Sequence, residues 1–125
     1  MPPLTNILYM VPGDDAVWIA QLRRGSVEHC VLALLSHGER YGFDLARTLA
    51  DSGGLIGSEG TIYPLLARLR KNGLVESTWQ ESAEGPPRRY YQLTEAGQLA
   101  LTAFIDHWKV FRAAVDGILE EATSR

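Results

Sequence analysis

The chain has 125 residues, 46% of them hydrophobic and 22% charged, the balance of one soluble globular unit rather than a disordered or fibrous chain. Its net charge of -3 excludes a protein that coats nucleic acid without sequence preference, because counterion release on that scale needs a large cationic face. A single cysteine, Cys30, excludes an internal disulfide.

In chain order, the apolar letters from Leu4 to Val11 are too few to cross a membrane, are stopped by Pro12 and Gly13, and follow no basic leader. They predict a packing arm on a cytoplasmic protein with no membrane partner. Asp14 and Asp15 cap a short helix running to about Arg24, with Val17, Trp18 and Leu22 as its apolar side and Gly25 as its break. Ser26 is the expected N-cap of the next helix, where Val27, Cys30, Val31, Leu34 and Leu35 recur at helical spacing until Gly38. A shorter helix is expected from about Tyr41 to Ser52, with the small Gly42 and Ala46 beside Leu45 and Leu49, ended by Gly53 and Gly54.

Ser58 caps a third helix, in which Ile62, Leu65, Leu66 and Leu69 follow the i, i+3, i+4, i+7 rule and Gly73 is the stop. Pro64 sits awkwardly there, lacking the N–H of the helix ladder, so the helix either starts late, near Thr61, or is locally distorted. Leu74 to Gln80 and Arg88 to Leu93, rich in β-branched and aromatic residues around Gly85-Pro86-Pro87, predict a two-stranded hairpin. Thr94 then caps a long last helix to about Glu121.

Three helices, a hairpin and a further helix are the order of a winged helix-turn-helix, in which the third helix enters the DNA major groove. The fold class expected is therefore mainly α with a small β-hairpin wing and a long C-terminal dimerisation helix. Its divisions are an arm or short helix over 1–24, a DNA-binding domain over 25–93 and the dimerisation helix over 94–125. Opposite the leucines of the third helix lie Gly60, Pro64, Ala67 and Lys71, flanked by Tyr63 and Arg68. Small residues there allow close approach to a duplex. Ser58 and Thr61 offer short hydroxyls at the helix N-terminus, suited to phosphate, and Arg68 and Lys71 extend that contact. Between Arg40 and Thr94 seven basic residues face six acidic ones, so recognition rests on where the arginines point rather than on total charge.

The segments Tyr41-Gly42-Phe43, Ser58-Glu59-Gly60-Thr61-Ile62-Tyr63-Pro64-Leu65-Leu66, Asn72-Gly73-Leu74-Val75, Gly85-Pro86-Pro87-Arg88-Arg89-Tyr90-Tyr91 and Leu93-Thr94-Glu95-Ala96-Gly97 are similar, in order and spacing, to the PadR family of transcriptional regulators. The resemblance spans Arg24 to Ile118 and includes Pro64. It implies a homodimer that represses its target and is released from a palindromic double-stranded operator by a small molecule or stress signal. It further implies that Tyr41, Ser58, Thr61, Tyr63, Pro64 and Arg68 lie at the DNA surface, with Arg88 and Arg89 on the wing reaching the backbone or minor groove. Tyr91 and Leu93 are expected in the core.

The last helix points to a dimer independently, because Gly97, Leu101, Phe104, Trp108, Phe111, Val115, Ile118 and Ala122 alternate spacings of four and three. Dimer contacts are expected from Leu101 through Ile118. Phe104, Trp108 and Phe111 are also the candidate site for a flat aromatic or drug-like effector at the dimer centre, against the plainer reading of ordinary packing. No cofactor or catalytic residue is expected, since no nucleophile-base pair, paired carboxylates or phosphate loop is present. Two alternatives compete with ligand release: a metal-responsive repressor using His29, Cys30, His37 and His107, and a protein-interaction module that has lost DNA binding. The spacing of those four residues matches no metal motif, and none is assigned as a ligand.

Overall fold

A computed structural model describes residues 22, 23 and 25–124. The expectations for the arm and for the helix from Asp14 fall outside or only touch the described residues. Helix α1 covers Val27–Leu35, a two-residue strand β1 covers Arg40–Tyr41, and α2 covers Gly42–Asp51. A single 3-10 turn, Glu59–Thr61, leads into α3, Ile62–Lys71; β2 (Val75–Gln80) and β3 (Arg88–Leu93) form the hairpin, and α4 runs over Glu95–Thr123. The sheet is antiparallel in the order β1-β3-β2, with Tyr41 paired to Tyr90 and Ser77 to Tyr91.

The core collects Val31, Leu32 and Leu35 of α1, Leu45 and Leu49 of α2, Ile62, Leu66 and Leu69 of α3, Val75 and Tyr91 of the sheet, and Leu101 of α4. Leu32 is fully buried although it lies off the predicted stripe, while Cys30 and Leu34 are only partly buried. The reason is that α1 packs against both α4 and β3 while its buried residues join the shared core, so more than one of its faces is covered.

Local chemistry explains the element ends. The α-helical part of the third helix starts at Ile62, which puts Pro64 in the first turn, where backbone N–H groups have no intrahelical partner and a missing one costs little. Ser58 stands before the 3-10 turn in extended backbone, but its side chain makes no cap; its carbonyl accepts from the backbone and hydroxyl of Thr61. Ser26 likewise does not cap α1, because its hydroxyl turns back to the carbonyls of Leu22 and Arg23. Thr94 does cap: its Oγ1 accepts from the Gly97 N–H at 3.0 Å and donates to the Gly73 carbonyl at 2.7 Å. Gly73, at φ +76°, closes α3 in the left-handed conformation, and the Leu74 N–H reaches back to the Leu69 carbonyl.

The strand β1 was not foreseen, being too short to show a period. Nor does the winged body stop at Leu93. Gly97 is buried so closely under the α3–β2 turn that a Cβ on it would lie 2.1 Å from the Leu74 carbonyl oxygen. Leu101 is 3% exposed. Both belong to the protomer's own core, and Leu101 is thereby removed from the surface expected to meet a partner. From Ile105 to Thr123 every residue of α4 is exposed.

Candidate nucleic-acid interface

The exposed side of α3 carries the residues that the helical wheel assigns to it. Gly60, Tyr63, Pro64, Ala67, Arg68 and Lys71 are all exposed, while Ile62, Leu66 and Leu69 are buried. Beside them, Tyr41 ends β1 and serves as the N-cap position of α2, which aims its backbone from sheet to helix at one residue. Gly42 makes that junction compact: a Cβ there would come within 3.1 Å of the Tyr91 ring and 3.6 Å of the Tyr63 ring.

Guanidinium groups interleave with these rings. Arg88 lies over Tyr41 at 4.9 Å, and Tyr41 also meets Tyr90 and Phe43, with ring centroids 5.8 and 6.1 Å away. Arg47, one turn along α2, covers Phe43 at 5.9 Å. Arg89 projects from the other face of the hairpin, as alternation along a strand requires. There it donates from Nε to Ser77 Oγ at 3.0 Å and rests between Trp79 and Tyr91. The two neighbouring arginines therefore occupy different environments, Arg88 exposed and Arg89 half-buried. A wing with one cation on each face presents charge whichever way its edge meets a duplex.

Burial and the neighbouring Tyr41, Tyr91 and Glu59 push the Tyr63 phenol above its ordinary range, so it remains a hydrogen-bond donor at neutral pH. Arg68 behaves differently from the other cations. It forms an ion pair with Glu28 of α1, which holds it on the flank of α3 between the two helices. Phe43 and Arg47, absent from the expected contact set, stand beside Tyr41 and Arg88, and Trp79, equally absent from it, lies with Arg89 on the other face of the wing; Phe43 and Trp79 are exposed despite their size. Phe43 had a signal in its own motif; Trp79 had none.

Where α1 meets α4, the ring of His29 stacks flat on Phe104 at 4.0 Å, and the series continues through Trp108 at 5.8 Å to Phe111 at 6.4 Å. Burial pushes the Cys30 thiol up, which suits a small apolar packing residue rather than a reactive one. Among the described residues no three His, Cys, Asp or Glu side chains come together in a way that could hold a metal ion, so His29, Cys30, His37 and His107 do not converge within a protomer. No described helix is long and apolar enough to cross a membrane.

Comparison with known proteins places the fold in a family. A family model described as the transcriptional regulator PadR-like family matches residues 31–103. A transcriptional regulator of Mycobacterium tuberculosis is 37% identical over 82 residues, covering 66% of this chain and 75% of that one. Among solved structures, a PadR-like transcriptional regulator from Bacillus cereus superposes with a TM-score of 0.71 at 38% identity, covering 79% of this chain and 96% of that one. A PadR family transcriptional regulator from Eggerthella lenta gives 0.72 at 37% identity, with 86% and 95% covered.

Proposed function

The chain belongs to the PadR-like family of transcriptional regulators, and from that premise we propose that it is a repressor that grips a palindromic operator as a homodimer and is released by a small-molecule effector. The observation that carries the DNA-binding part is the continuous surface of Tyr41, Tyr63, Pro64 and Lys71 with Arg88 at its edge, where outward residues are small, aromatic or cationic. In this reading Ser58 and Thr61 meet phosphate at the start of α3, and Arg89 contributes from the opposite face of the wing. Arg68 stays paired with Glu28 on the flank of α3 and offers its remaining guanidinium N–H groups from there.

The dimer reading rests on the distal part of α4. Trp108, Phe111, Val115 and Ile118 are exposed at heptad spacing along the part of the helix where every described residue is exposed. Two copies joined there present two α3 helices to successive major-groove faces about 34 Å apart, which an inverted repeat satisfies. Phe104, Trp108 and Phe111, already stacked within one protomer, form the effector site of this reading by receiving a flat aromatic molecule between the two copies.

A gel shift with duplexes from upstream of the protein's own gene tests the DNA-binding part. Selective binding should weaken at least about a thousandfold between 50 and 200 mM salt for a dimer contacting several phosphates. Binding that ignores sequence or salt, or none, favours an interaction module. Quenching of Trp108 fluorescence by planar compounds tests the effector part, and no response from any such class counts against a site there.

A further inference from the structure

A cavity of about 560 Å³ lies between the N-terminal end of α1, the loop after α2 and the start of the third helix; of the described aromatic stripe on α4 it is reached only through His29, which stacks on Phe104. It is within the size range of small-molecule sites. Its described apolar walls are the aliphatic Val27, Leu55, Ile56 and Leu65, and no Phe, Tyr or Trp is among the described lining residues, so these walls offer an alkyl chain contact area but a flat aromatic body no stacking platform.

Its polar side is cationic. Arg23 and Arg68 both line it, and Glu28 is the one carboxylate among the described lining residues. Arg23 donates to the Gly54 carbonyl from Nε at 2.9 Å and from Nη2 at 2.7 Å, and has no acidic partner among the described residues. The Arg68–Glu28 pair is half open to water, and such a pair is cheaply exchanged for another carboxylate. His29 also lines the cavity, and its Nδ1 is buried without a hydrogen-bond partner among the described residues.

We propose that this cavity binds a small aliphatic carboxylate, whose alkyl chain lies along Val27, Leu55, Ile56 and Leu65 and whose carboxylate takes the place of Glu28 beside Arg68. Ser58 and Thr61 line the same cavity, so the bound anion stands at the end of the third helix that the proposed DNA contact needs. It opposes phosphate there, and the response is a weaker operator complex. This regulatory consequence rests on the DNA-binding reading above; the site itself does not.

Calorimetric titration of the full chain with hexanoate, octanoate and decanoate, with octanamide as the neutral counterpart, tests the site, and operator anisotropy with added octanoate tests the consequence. Affinity should rise about three- to fourfold for each added CH₂, and octanamide should bind about tenfold more weakly than octanoate. Leu55→Trp, which fills the cavity, should weaken octanoate at least tenfold while leaving operator affinity unchanged. Glu28→Gln, which frees Arg68, should tighten octanoate about two- to fivefold; it keeps the test decisive if Leu55→Trp melts early. The proposal is overturned if millimolar octanoate gives no heat, if octanamide binds equally well, or if Trp108→Ala abolishes binding that a folded Leu55→Trp protein retains. If octanoate follows the expected pattern but no operator is bound, the site stands and the DNA-binding reading falls. If octanoate binds with that pattern and leaves operator affinity unchanged, the regulatory half is overturned.

Discussion

The winged body and the distal half of α4 spend their side chains in opposite ways. In the body, from α1 to the third turn of α4, large apolar residues are mostly consumed inside, and the surface left over is a designed mixture of rings and guanidiniums. From Ile105 onward the same helix keeps its large apolar residues exposed, including Val110 at 74% and Ile118 at 69%. One heptad stripe runs through both halves, yet Leu101 serves the protomer while Phe111 is left for something else. A periodic stripe thus announces that a face will be covered without saying by what.

Substitutions along that stripe separate the halves. Leu101→Ala should destabilise the protomer by about 3 kcal/mol through lost burial and a residual cavity, read as a lower denaturation midpoint. Gly97→Ala should cost a similar amount, about 2–3 kcal/mol, because a backbone carbonyl occupies the space of the new methyl. Phe111→Glu should instead leave the body folded by circular dichroism, shift sedimentation towards a monomer, and weaken operator binding about a hundredfold through lost bivalency. Equal effects of Leu101→Ala and Phe111→Glu on both stability and sedimentation would erase the distinction between the halves.

Smaller changes sharpen the picture of the body. Arg88→Ala should lower the salt dependence of operator binding by about one unit of log–log slope without changing the melting temperature. Arg89→Ala should also cost about 1 kcal/mol of stability, because Arg89 is hydrogen-bonded to Ser77 and packed between two rings. The smallest effect concerns Cys30. With its thiol pKa raised by burial, little thiolate exists at pH 8, so iodoacetamide should alkylate it more slowly than free cysteine, with the rate rising only at higher pH.

Much of this molecule is legible from its letters because the signals are local. The periodicities of α2, α3 and the hairpin, the Thr94 cap and the outward face of α3 depend on residues a few positions apart, where helical and strand geometry is nearly fixed. Of the two outcomes that Pro64 left open, the late start is the one observed, with α3 beginning at Ile62. Serine caps were less legible. Ser26 and Ser58 carry the right side chain, but nearby carbonyls compete for it in one case and the backbone supplies the turn in the other.

What the amino-acid sequence determined by itself was therefore the order and kind of the elements, the residues turned outward on α3, and the presence of a long stripe on α4. What only the tertiary structure decided was partnership between distant residues. Arg68 meets Glu28 forty positions away, His29 stacks on Phe104, Gly97 lies under Leu74, and Leu101 is claimed by its own core. The physical reason is that short-range geometry fixes the direction of a side chain along its element, whereas its partner depends on how whole elements pack, and that packing is settled by the burial of the core as a whole.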